Sequence, residues 1–309
     1  MLAAALGSKA CPSRQPPAES LDVEASPPAS SPAPRSAGSS QAPDYTQLAS
    51  LAEMKADHDL VRAADESFIA SFRKLAQHVA QGETNEAGSI FSFTTGLPLS
   101  GFNGCVVTQE ASSAELAASL AWVAARAVPF RVWIAEKLAA GLAEVPTGYG
   151  LEPDASLYPG MVLHPIPDAP TSSAGVSVVP IFEPSLDEFI GVLEESGLQG
   201  ELAHRLISPS FAADADVQLF VGTLDGQPVG TSIAIRSRDA SGVYNVGTLP
   251  GARRRGVGSA VTWAAVGAGR AWGCDTIVLQ SSVMGLSMYA DMGFRTVAPY
   301  VTFAESSVS

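Results

Sequence analysis

The residues best suited to chemistry lie in the run VGTLPGARRRGVGS, from Val246 to Ser259. An extended apolar stretch, 243–249, meets a turn at Pro250 and Gly251. Arg253, Arg254 and Arg255 follow, then Gly256, Val257, Gly258 and Ser259, ahead of a run of small and apolar residues. The order reads as strand, basic turn and glycine-rich helix start. The first N–H groups of a helix have no carbonyl partner inside it, and the aligned peptide dipoles make that end partly positive. Glycines leave those N–H groups open to an anion, and arginines supply bidentate donors. The expected chemistry is binding of a pyrophosphate. The plainer alternative is an ordinary helix entry with a solvated basic turn.

The elements that must position this turn fall in a definite order. Residues 175–179 read as a strand, and SLDEFIGVLEESG and ELAHRLISP as two short helices. Asp187 and Glu188 suit the first turn of the first helix, and Gly197 its stop. VQLFVGTLDGQPVGTSIAI is two strands joined at Asp225-Gly226, a dipeptide that favours the positive φ angles of tight hairpins. After the glycine-rich helix, which Gly273 ends, come a short strand at 276–279, a helix holding Tyr289, and a strand at 297–303. The succession β-α-α-β-β-β-α-β-α-β spans residues 174–305.

In that context, Arg253-x-x-Gly256-x-Gly258 resembles the acyl-CoA signature of the GNAT superfamily of N-acetyltransferases. Tyr289, followed by Gly293 and Phe294, is similar to the helix after the family's fifth strand. The resemblance implies an α/β (α+β) acyl-CoA N-acyltransferase fold, a mixed and mainly antiparallel sheet flanked by helices, with acetyl-CoA as co-substrate and no metal. It implies that Val246, Gly247 and Thr248 run beside the pantetheine arm. Arg253, Arg254, Arg255, Gly256, Val257, Gly258 and Ser259 would then form the pyrophosphate cradle. Ser282 stands where many members carry an Asn that touches the cofactor, and Tyr289 is the implied general acid, a core tyrosine being the alternative. Many members also carry a Glu base on the fourth strand. Here Tyr244 and Asn245 stand in its place and Asp239 precedes the strand, so a water-mediated base and an acceptor amine of low pKa both stay open.

Upstream, residues 1–45 are rich in Pro, Ser and Ala, hold eight of the 22 prolines, and read as a disordered tail. Residues 46–170 begin with a strongly helical stretch. IFSFTTGLPL and FNGCVVTQE then read as paired strands, SSAELAASLAWVAARA as a helix capped at Ser112 or Ser113, FRVWIA as a strand, EKLAAGLAEV as a helix, and YPGMVLHPIP as a final strand. This order echoes the second half of the 174–305 unit and suggests a degenerate acyltransferase-like domain, with an unrelated helical domain as the alternative. Glu110 occupies the corresponding turn and would repel pyrophosphate. The expected work of this half is to brace its neighbour or to wall an acceptor pocket.

The net charge of −13 argues against a general nucleic-acid binder, whose phosphate contacts need a basic face. Cys11, Cys105 and Cys274 form no disulfide framework. His58, His78, His164 and His204 are scattered, and no zinc spacing occurs. No apolar run approaches the ~20 residues that span a bilayer, and a cytoplasmic location without membrane contact is expected. Homo-oligomerisation stays open. The function these observations imply is direct acetyl transfer to a primary amine, of a small molecule in preference to a protein. The rival reading is a non-catalytic module that binds acyl-CoA or a protein partner.

Overall fold

The computed structural model describes residues 57–182 and 185–305, without the side chains of 155–157. The proline-rich 1–45 stretch, the first residues of the 46–170 region and Cys11 lie outside the described residues. Helix α1 (Asp57–His78) begins with Asp57 and Asp59, which suit the positive end of a helix, and ends on His78. Leu60, Ala64, Ser67, Phe68, Ser71, Phe72 and Leu75 recur at three- and four-residue spacing and form its buried stripe.

A meander follows: β1 (Glu83–Ala87), β2 (Ile90–Thr94) and β3 (Asn103–Val107). Helix α2 (Ser113–Ala124) carries the chain to β4 (Arg131–Ala135), and α3 (Glu136–Leu142) and α4 (Glu144–Gly148) lead to the long β5 (Leu151–Leu163). The second half runs β6 (Val176–Ile181), α5 (Leu186–Glu195), α6 (Gly200–Leu206), α7 (Pro209–Ala212), β7 (Val217–Leu224), β8 (Gln227–Ser237) and β9 (Ala240–Thr248). It ends with α8 (Val257–Ala271), β10 (Thr276–Gln280), α9 (Leu286–Asp291) and β11 (Arg295–Glu305).

Local chemistry explains the well-foreseen elements. Asp225 (φ +52°) and Gly226 (φ +83°) take the positive angles of a tight hairpin between β7 and β8. Ser112 caps α2 in a complete capping box with Glu115. Three elements differ from expectation. The polar strand β1 and the short α7 have no apolar period to announce them, and β5 begins at Leu151, not Tyr158.

The eleven strands form one sheet in the order β1-β2-β3-β4-β11-β5-β10-β9-β8-β7-β6. The β3–β4 and β9–β10 ladders are parallel. The flanking and central ladders are antiparallel. The halves exchange their last strands: β5 pairs with β10 of the second half, and β11 pairs with β4 of the first.

Helix α1 lies over this exchange. Its Phe68 and Phe72 pack on Phe93, Trp133 and Tyr300, with ring centroids 4.1–5.9 Å apart. Such aromatic pairs add about 0.5–1.5 kcal/mol each beyond area burial. The buried Tyr300 hydroxyl donates to Asp65 Oδ1 at 2.6 Å. Burial pushes the Asp65 carboxyl up to about 6, while the Tyr300 bond pulls it down. The folded chain therefore holds this proton more tightly than the unfolded chain. Its contribution is full below about pH 4 and is lost as pH rises through about 6. Asp65→Asn keeps an acceptor for Tyr300 and removes the titration. We expect it to stabilise the protein by about 1–3 kcal/mol at pH 8 and much less at pH 4.5. Urea unfolding at both values checks this, and an equal change at both would contradict it.

Candidate functional site

Strand β9 makes the first wall of the site. It pairs with β8 from end to end, but with β10 only at Ala240–Thr276, Ser241–Ile277 and Gly242–Val278. From Val243 to Thr248 it has no β10 partner, while Leu279 and Gln280 pair with Met161 and Gly160 of β5. The cause is a bulge. Between Ile233–Tyr244 and Thr231–Gly247, β8 advances two residues while β9 advances three. Asn245 absorbs the difference at φ +52°, a conformation Asn adopts more readily than most residues. Thr231 Oγ1 donates to its carbonyl at 3.1 Å. A bulge bends and over-twists its strand, so β9 swings off β10 and a wedge opens between them, edged by main-chain N–H and C=O groups.

The cradle stands at the mouth of this wedge. After β9 a single 3-10 turn, Pro250–Ala252, leads to Arg254 (φ +63°) and to Gly256 (φ +87°), the residue before α8. The first helical bond runs from Ala260 N–H to the Gly256 carbonyl at 3.0 Å. The N–H groups of Val257, Gly258 and Ser259 therefore have no acceptor within the helix. A side chain at Gly256 would be strained by its backbone angle and would collide with Ser173. A Cβ on Gly258 would stand 3.3 Å from Met288 Sδ and 3.4 Å from Thr248 Oγ1, so the end of β9, the start of α8 and helix α9 converge there. Val246, Gly247, Thr248, Gly256, Gly258 and Ser259 are half-buried, Val257 is buried, and the three arginines are exposed.

The arginines diverge, as neighbours on a turn must. Arg255 meets Asp225 at 3.2 Å, and Arg253 Nε donates to the Thr248 carbonyl at 3.3 Å. Exposed pairs of this kind contribute at most about 1 kcal/mol, so they do not hold the guanidinium groups against a competing phosphate. Ser282 follows β10, and its carbonyl accepts from Ser281 Oγ at 2.8 Å and from Gly285 N at 3.0 Å. Tyr289 is buried. Its ring meets Phe294 edge-on at 5.8 Å, and Thr262, one turn beyond Gly258 on α8, donates its hydroxyl to the Gly258 carbonyl at 2.8 Å. Burial raises the Tyr289 hydroxyl far above the ordinary tyrosine value, so it keeps its proton at neutral pH.

Two residues of the wedge escaped sequence reasoning as a pair. Gln280 has neither amide atom hydrogen-bonded, and Asn245 Nδ2 likewise lacks a partner among the described residues, although these atoms are buried. An unmet buried polar group costs about 1–3 kcal/mol, so both side chains are left in need of a partner. A glutamine closing the apolar strand TIVLQ is the one signal the sequence carried. The base candidates separate. Tyr244 faces α1, donates to the Ser67 carbonyl at 2.8 Å, and is pushed up to about 12 by burial. Asp239 precedes β9, six residues from Asn245, or about 20 Å along an extended strand.

Residues 196–283 match the model of the family described as "Acetyltransferase (GNAT) domain", a stretch that contains the cradle and stops before Tyr289. No curated protein sequence matches the chain. Among solved structures, a GCN5-related N-acetyltransferase from Kribbella flavida superposes with a TM-score of 0.58 at 19% identity, covering 80% of this chain and 96% of its own. A functionally unknown conserved protein from Staphylococcus epidermidis gives 0.53 at 14% identity, over 72% and 94%. A GCN5-related N-acetyltransferase from Sphaerobacter thermophilus gives 0.52 at 17% identity, over 70% and 76%. The chain has the GNAT fold, and its residues 196–283 are similar to a GNAT acetyltransferase domain.

Losing a charge-assisted phosphate contact costs about 1.5–3 kcal/mol. We therefore expect Arg254→Glu to weaken CoA binding about tenfold or more without changing the thermal midpoint. Arg255→Glu, whose partner is Asp225, should weaken it less. Calorimetric titration with CoA checks the order of the two effects.

Proposed function

We propose that this protein is an acetyl-CoA-dependent N-acetyltransferase that acylates the primary amine of a small molecule by direct transfer. The observation that carries the reading is the wedge between β9 and β10, with an anion cradle at its mouth and the unpartnered side-chain amides of Asn245 and Gln280 on the two strands that flank it. The main-chain edge of Val246, Gly247 and Thr248 would pair with the pantetheine amides. The N–H groups of Val257, Gly258 and Ser259, with Arg254 and its neighbours, would hold the pyrophosphate. When bound, acetyl-CoA supplies the thioester carbonyl that forms the new C–N bond as the C–S bond breaks toward sulfur. Tyr289 acts as proton donor to the departing sulfur, its hydroxyl being protonated at neutral pH and its acidity limited by burial. The first half of the chain, 46–170, braces the 174–305 unit and contributes α1 to the face opposite α8.

Strand β9 carries no carboxylate, so the acceptor nitrogen loses its proton to water. The pH dependence of kcat/KM should then follow the acceptor's own pKa, its rising limb moving when an amine of lower pKa is used. A limb fixed across acceptors would reveal an enzyme base instead. The same lack of a carboxylate favours the second reading, a non-catalytic acyl-CoA-binding or interaction module. Tyr289→Phe separates them. For an enzyme, kcat should fall about 10²-fold or more with CoA affinity kept; a binding module has no turnover to lose.

A further inference from the structure

On the face of the sheet opposite α8, a cavity lies directly beneath the β9 bulge. It is bordered by α1, Phe102, the α6–α7 corner and strands β8 and β9, and has a volume of about 30 Å³. That is room for two or three waters, or about two or three methylenes. Leu75, Phe102, Leu206, Phe211 and Ile233 give it apolar walls, all buried.

Its polar lining is sparse and nearly all engaged. Ser71 Oγ donates to the Phe68 carbonyl at 2.7 Å, and the Tyr244 hydroxyl donates to Ser67. Asn245 is the exception: it lines the cavity, is 8% exposed, and its Nδ2 has no partner among the described residues. Asn245 is also the bulge residue at which the wedge opens, so its backbone edges the wedge while its side chain lines the cavity.

This chemistry discriminates between occupants. An ammonium group would be desolvated there with no carboxylate among the lining residues, a penalty of several kcal/mol. A hydrocarbon chain gains on entry, and a carbonyl oxygen at its head would satisfy the Asn245 donor. We propose that the cavity is an acyl-tail pocket, and that this protein accepts acyl-CoA thioesters longer than acetyl, of about three to five acyl carbons. The inference rests on the cofactor site proposed above. Asn245 positions the thioester carbonyl, and the tail passes beneath the bulge between α1 and β8.

The test is calorimetry on the full chain with CoA, acetyl-CoA, propionyl-CoA, butyryl-CoA, valeryl-CoA and octanoyl-CoA, using thioether analogues if turnover intrudes. Each methylene from acetyl to butyryl should tighten binding about three- to fourfold, and octanoyl-CoA should lose the gain. Ile233→Phe, which fills the cavity, should abolish the chain-length dependence while leaving CoA binding unchanged. If that variant fails to fold, the wild-type series still decides. Equal affinities from acetyl to valeryl, with CoA bound, would overturn the pocket and leave the cofactor site standing. So would a length dependence unchanged in a folded Ile233→Phe. No binding of any CoA compound would overturn the cofactor site itself.

Discussion

The parting of β9 from β10 is the constraint on which the rest of the structure depends. One extra residue in β9, at Asn245, ends a parallel ladder after three pairs and leaves the rest of β9 without a β10 partner. Free strand edges inside a fold are costly and invite pairing with another chain. Here the edge is kept in place because β8 holds the other side of β9, because β5 holds β10, and because Tyr244 anchors the bulge to Ser67 of α1. The wedge is therefore over-determined from three directions. It can present main-chain groups to a ligand without closing on itself.

The exchange of β5 and β11 extends that argument to the whole sheet. Strand β10 is a short strand that would be poorly held by a three-residue parallel ladder alone. The antiparallel pairing of Ile277–Gln280 with Gly160–Leu163 supplies what the β9 side withholds. Helix α1 then fastens the two halves across the exchange, with Phe68 and Phe72 on Trp133 and Tyr300. The first half has no cradle of its own, yet without it β10 would lose its second neighbour and the cavity beneath Asn245 would lose the wall formed by Ser71 and Leu75. Bracing and shaping the site are the same physical act.

What was legible in the sequence was what is local. The hairpin at Asp225-Gly226, the cap at Ser112, the helix stop at Gly273 and the strand–turn–helix around Gly256 each depend on residues a few positions apart, and each formed where expected. The polar strand β1 was not legible because, as an exposed edge, it needs no apolar alternation. The strand exchange was invisible because pairing partners such as Tyr300 and Ala135 lie far apart in the chain. The site divided in the same way. The turn and open helix start were legible in the glycine and arginine spacing, whereas the bulge at Asn245, the unmet amide of Gln280 and the diversion of Arg255 to Asp225 arise only from packing.

Amide hydrogen exchange with and without acetyl-CoA tests the central claim most directly, because it reads the wedge and the cradle residue by residue. If the parted strands and the helix start receive the cofactor, slowed exchange should concentrate in Val243–Thr248 and in Arg254–Ser259, with little change in β1 to β4. Protection that leaves those two segments untouched while cofactor binds would contradict the account.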